Sequence, residues 1–316
     1  MAKRQFEFEL YRLNVVTGER LLFEQHLKPF ADDNDILRTF QQATQPGLDE
    51  TISGKRATYE WALRDFVDFK SDLGESLKIV GVTLARSITE KEGFVVTDEG
   101  IVSGSSEPDP PLAETVHLFV YIRRHLLVVE RVSSIMASRR WLYSLQDMLK
   151  KSAEKLGYST WMEFEPVPKK EEIYETFMSF SRLMRLRVRL RLPNPELSRF
   201  AERLFNEMRD GGIQEYLQDM RNTKGLNLQP GRLPRASVEI AQAGYKSGPV
   251  RLEGLREDRR TSVDVGTKAT RGNIAGFRDF VRGMGKNAKS KEAQTMVNAL
   301  IEEIDRIAPP PGGHGE

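Results

Sequence analysis

Apolar and charged residues alternate without a break from Met184 to Leu192, the run Met-Arg-Leu-Arg-Val-Arg-Leu-Arg-Leu. Successive side chains of a strand point to opposite faces. Leu186, Val188, Leu190 and Leu192 therefore share one face, and Arg185, Arg187, Arg189 and Arg191 the other. A 3.6-residue period would scatter both classes around a helix, so the pattern predicts a strand. Pro193-Asn194-Pro195 ends it, because proline lacks the amide donor a ladder needs. Glu196–Arg209 then reads as an amphipathic helix with Leu197, Phe200, Leu204 and Met208 on one stripe.

The same reading, applied along the chain, predicts a first half rich in hairpins. Gln5–Val16 alternates, Thr17-Gly18 is a turn signal, and Glu19–Leu27 returns as a second strand. Asp32, Asp33 and Asn34 can cap a helix running through Phe40 and Ala43. Glu60–Asp72 fits helix or strand, with strand favoured at its start. Ser76–Ser87 reads as a strand, Gly93–Val96 with Gly100–Val102 as a short hairpin, and Ser103–Pro111 as a loop. Thr115–Ile122 and Leu126–Val132 flank Arg123-Arg124-His125 as another hairpin. Ser138–Leu156 is a helix with Leu142, Leu145, Met148 and Leu149 inward, and Thr160–Pro166 a strand.

A hinge is expected at Pro166–Lys170. Beyond it come a helix over Glu171–Arg182, burying Ile173, Phe177 and Phe180, and then the arginine strand. A short helix is expected at Ile213–Met220 and strands at Ala236–Gln242, Pro249–Leu255 and Thr261–Val265. Helices are expected again at Ile274–Arg282 and Ser290–Ile307. The fold class predicted is α+β, with antiparallel or mixed sheets carrying helices on one face. Two domains are expected: an acidic one over 1–168 and a basic one over 169–308, followed by a disordered tail over 309–316.

Composition narrows the picture. The 39% hydrophobic and 30% charged fractions belong to an ordinary globular protein. No apolar run approaches the ~20 residues that span a bilayer, and the start has no signal-peptide core, so a cytoplasmic protein without membrane contact is expected. With no cysteine, disulfides, thiolate zinc sites and cysteine nucleophiles are excluded. The net charge of +2 conceals an asymmetry. Phe180–Lys291 holds 24 Lys and Arg against 12 Asp and Glu, whereas residues 1–179 carry −6 and the stretch after Lys291 carries −4. A basic segment set in acidic surroundings points to an anionic partner, or to attraction between the segments themselves.

Two basic features could meet such a partner. The first is the arginine strand, whose guanidinium groups at every second residue offer forked donors along a polyanion. Arg182 extends its row, and Arg251 can join from a neighbouring strand. The competing reading is a ladder of structural ion pairs with Glu239, Glu253 and Asp264. The strand has no aromatic residue for base stacking, so contact would be with backbone phosphates. The second feature is the run Arg282–Lys291, with Lys286, Lys289 and Lys291. It resembles a phosphate loop only loosely. Phe280 stands where the Walker pattern needs glycine, and Asn287 where it needs Ser or Thr.

No reaction is named by the sequence. His26, His117, His125 and His314 lack zinc-ligand spacing, although His117 and His125 could approach each other near Glu130 in their hairpin. Pro108-Asp109 lacks the strand context of a metal-dependent nuclease, and no nucleophile elbow or dinucleotide fingerprint appears. Neither a cofactor nor a metal is therefore expected.

From Glu171 to about Gly266 the chain resembles an uncharacterised bacterial family associated with mobile and phage-defence regions. The resemblance rests on the helix before the basic–apolar strand, the Pro193-Asn194-Pro195 terminus and Ala243-Gly244-Tyr245-Lys246. It implies a defence-associated protein in contact with nucleic acid and carries over no active residue. The expectation is a non-catalytic protein binding DNA or RNA through Arg182, Arg185, Arg187, Arg189, Arg191, Arg251, Arg282, Lys286, Lys289 and Lys291. A protein–protein adaptor that assembles or self-associates through its acidic and basic halves is the alternative, and a divergent nuclease the third reading.

Overall fold

The computed structural model describes residues 5–17, 27–70, 76–98, 100–191, 206–208, 210–213, 215–282 and 291–309. Two antiparallel sheets organise the chain. The large sheet takes its centre from the first half. It is formed by β1 (Gln5–Thr17), β2 (Glu50–Ser53), β3 (Ala57–Lys70), β4 (Ser76–Thr97), β6 (Ala113–Tyr121) and β7 (Leu126–Glu130), with β5 (Gly100–Ser106) on β4 and β8 (Thr160–Pro166) on β1. Its last strand, β13 (Arg271–Ala275), comes from the far end of the chain and pairs with β1, Phe6 opposite Ile274.

Alternation shows why this sheet is covered twice. On β1, Phe6, Phe8 and Leu10 join one apolar cluster and Tyr11 and Leu13 another. Leu126–Glu130 has no polar face, and all five residues of β7 are buried. A strand without a polar face must be covered on both sides. One layer is made by α1 (Asp33–Ala43), α2 (Ser133–Met136) and α3 (Arg140–Lys155). The other is made by α6 (Phe277–Arg282) and α7 (Lys291–Ile307). The α+β class holds, but helices cover both faces of the large sheet rather than one. The acidic C-terminal helix, grouped with the basic half in the sequence reading, lies on the large sheet. Val297, Leu300 and Ile304 form its buried stripe.

The small sheet runs β10 (Glu215–Arg221), β9 (Arg182–Arg191), β11 (Val250–Arg256), β12 (Arg259–Val265). Its inner face holds Leu186, Val188, Leu190, Val250 and Leu252 under α4 (Glu172–Met178) and α5 (Leu233–Gln242). Helices lie on this one face, as expected. Two elements exchange type relative to the sequence reading. Residues 215–220, expected within a helix over Ile213–Met220, belong to the edge strand β10, and Ala236–Gln242, expected to be a strand, belongs to α5. Pro234 at the start of α5 suits a helical first turn, and burial of Ser237, Val238 and Ala241 follows the helical spacing. Ile274, expected to open a helix, lies within β13 instead, with Gly276 turning the chain into α6.

The expected strand Glu19–Leu27 falls mainly, and Pro193-Asn194-Pro195 wholly, outside the described residues. So does most of the helix Glu196–Arg209, although Met208 is described and buried in the small-sheet core. No helix among the described residues is long and apolar enough to cross a membrane.

Candidate nucleic-acid interface

The arginine strand is β9, and its alternation has the predicted consequence. Leu186, Val188 and Leu190 are buried, while Arg187 and Arg189 are exposed and Arg185 and Arg191 half-buried. Arg182 opens the same strand. It lies three residues before Arg185, which strict alternation would place on the opposite face. A bulge absorbs the difference: Glu253 faces Arg185 but Gly254 faces Leu183. A Cβ on Gly254 would stand 2.2 Å from the Arg182 carbonyl oxygen, so only glycine fits there.

Carboxylates are threaded among the arginines. Asp219 of β10 accepts two hydrogen bonds from Arg185, each 2.8 Å, and is also paired with Arg221. These bonds, Arg185 first, hold the Asp219 carboxyl far below the usual carboxylate range. Glu253 accepts from Arg185 at 3.1 Å and from Arg251 at 2.7 Å. Glu215 pairs with Arg189 at 3.3 Å and Arg191 at 2.5 Å. Of the three expected partners, Glu253 is used on this face. Glu239 lies on α5 and pairs with Arg235. The residues from β10, expected to be helical, supply the rest.

Arg187 stands apart. Its cross-strand neighbour on β11 is Arg251, and on the other side Asp219, which is engaged by Arg185 and Arg221. Among the described residues Arg187 has no ion-pair partner. Like charges directly opposite each other destabilise a sheet. The face thus carries at its middle a cation without an ion-pair partner among the described residues, bordered by the exposed Arg189 and Arg251.

Of the second basic run only the two ends are described, and they belong to the large sheet's helices. Arg282 ends α6 and Lys291 opens α7, both elements of the large sheet's outer layer. Lys286 and Lys289 lie outside the described residues. The two hairpin histidines take separate partners, His117 with Glu130 at 2.7 Å and His125 with Asp33 at 2.9 Å. No group of His, Asp and Glu among the described residues could hold a metal ion.

A cleft of about 690 Å³ lies where the two sheets meet, and it escaped the sequence reading. Its wall combines β1, the start of α3, β8, the end of β9, the loop before β13 and β13 itself. Arg191 connects it to the arginine face, pairing with Glu215 on one side and with Glu163 of β8 at 2.7 Å on the other. The other lining carboxylates are also engaged. Glu9 pairs with Arg271, and Glu165 faces Lys246 at 3.8 Å. Burial pushes the Lys246 ammonium down and the Glu165 carboxyl up, so both are driven toward neutrality.

The sheets are pinned together beside it. Arg12 of β1 is buried, donates to the carbonyls of Ala243 and Arg124, and lies 4.5 Å over the Tyr245 ring. Gly244 has φ +90°, and a Cβ there would meet the Arg12 Cβ at 2.9 Å. Ala243-Gly244-Tyr245-Lys246 therefore builds the joint between the sheets.

These features define an α+β protein of two antiparallel sheets, with a basic open face on the smaller one. The family model described as a domain of unknown function, DUF4747, matches residues 90–270, more than half of the chain, and the chain belongs to that family. The match starts within β4 and takes in the whole small sheet and most of the cleft wall. No curated protein matches the chain.

Proposed function

We propose that this protein binds nucleic acid through the open face of its small sheet and acts as a binder rather than as an enzyme. The observation that carries the reading is Arg187 opposite Arg251, both exposed, with Arg189 beside them. Each also faces a carboxylate on its other side, Asp219 for Arg187 and Asp264 for Arg251, but Asp219 is taken by Arg185 and Arg221, so it leaves Arg187 unpaired among the described residues. A phosphate lying across the strands would neutralise both guanidinium groups and accept their forked donors. The half-buried Arg185 and Arg191 set the register of the row; the exposed Arg187, Arg189 and Arg251 make the contact, Arg189 and Arg251 each also paired with one carboxylate. The resemblance of Glu171–Gly266 to a bacterial family of phage-defence regions supports placing this binding in antiviral defence in the cytoplasm.

Titration of the protein against DNA and RNA at increasing salt tests the proposal. Each neutralised phosphate releases counterions, so log affinity should fall linearly with log salt, by about 0.9 per duplex phosphate contact. Absence of binding at low salt would overturn it and favour the adaptor reading.

A further inference from the structure

We propose that the cleft between the sheets receives one nucleotide unit of a single strand, making the protein selective for single-stranded over duplex nucleic acid. This rests on the nucleic-acid reading above and names the form of the ligand. Its volume of about 690 Å³ lies within the range that takes a nucleotide-sized ligand.

Its charges are arranged for an anion. Each lining carboxylate already has a cation, Glu9 with Arg271, Glu163 with Arg191 and Glu165 with Lys246. Arg139 and Lys268, both exposed on the wall, have no ion-pair partner among the described residues. Arg139 lines the cleft together with Tyr11 and Glu165. It precedes α3, whose first turn has no acidic residue to offset the helix dipole. In the Glu163–Arg191 pair, the Arg191 Nε is buried without a hydrogen-bond partner among the described residues.

The cleft also supplies what β9 lacks, an aromatic platform. Tyr143 is 57% exposed on the wall, one turn into the helix that Arg139 precedes. A base can stack on its ring while Arg139 and Lys268 hold the adjoining phosphate, and stacking of this kind tolerates any base. A base paired in a duplex has both faces covered and could not enter. Arg191, shared by the cleft and the arginine face, makes the path of the strand continuous from one to the other.

The test compares a labelled mixed-sequence oligonucleotide, its blunt duplex and free AMP, using fluorescence anisotropy and competition on the full chain. The single strand should bind about tenfold or more tighter than the duplex. Arg139→Gln with Lys268→Gln should remove most of that preference while leaving duplex affinity and the thermal melt unchanged. Tyr143→Ala should weaken the single strand by roughly tenfold, and Tyr143→Trp should keep it. If these variants bind the single strand as wild type does, the cleft is overturned while the open-face reading stands. Competition by AMP at the strand's own affinity would overturn strand selectivity in favour of a free-nucleotide site. Absence of binding to any nucleic acid would overturn both readings.

Discussion

The two sheets put the same alternating pattern to different uses. In the large sheet the alternate faces of β1 and β7 both enter apolar clusters, so helices close it on each side. In the small sheet the inner face is apolar except for Gln218, which is buried on β10. Its outer face is a lattice of arginines and carboxylates with no helix over it among the described residues. A closed sheet spends its side chains on stability, whereas an open charged face contributes little to folding and remains available to a partner. Charge follows the same division. The acidic beginning and end of the chain meet on the large sheet, and most of the basic middle builds the small one.

The largest effects should come from the covered face of β9. Leu190→Ala should destabilise by about 2–5 kcal/mol, since Leu190 is fully buried, and Val188→Ala by less, fewer methyl groups being removed. A denaturant melt with Leu190→Ala near neutral would erase the contrast between the two faces.

The joint comes next. Gly244→Ala places a methyl group against Arg12 at a positive φ, and should cost roughly 1–3 kcal/mol. If the sheets are independent of this contact, the melt of the variant will match the wild type.

The outer face should respond least. Asp219 has its carboxyl held down in the fold by Arg185 and Arg221. Its contribution is therefore present above the unfolded-state value of about 3.9 and fades as pH falls toward the lower folded value. Asp219→Asn should flatten the acid limb of the stability profile below about pH 4 and change little near neutrality, where such exposed pairs contribute ~0–1 kcal/mol. An acid limb identical to wild type would mean that these ion pairs do not hold in solution.

How much of this was legible depends on where the information sits. The faces of β9 were readable because nine consecutive residues alternate and nothing competes. Ile213–Met220 reads as a helix from the spacing of Ile213, Tyr216, Leu217 and Met220. It forms an edge strand instead, burying Gln218 on its inner side and leaving Leu217 exposed. Ala236–Gln242 alternates through Val238 and Ile240, yet the proline at Pro234 and the small buried residues Ser237 and Ala241 belong to a helix. Tertiary packing decided both, and neither window contains it. The cleft had no local signal at all. Tyr11, Arg139, Glu163, Arg191 and Lys268 come from five separate parts of the chain, and of these the sequence marked Arg191 alone.

We propose that Arg187 and Arg251 face each other in order to meet phosphate. It is tested most directly by the salt dependence of duplex binding for wild type and the Arg187→Gln/Arg251→Gln double variant. If each guanidinium neutralises one phosphate, affinity falls at low salt and the log–log slope becomes shallower by roughly 1.8, with the melt little changed, since relief of the like-charge pair offsets loss of the exposed Arg251–Glu253 pair. Equal slopes for the two proteins would contradict the account and take the open face out of the binding site.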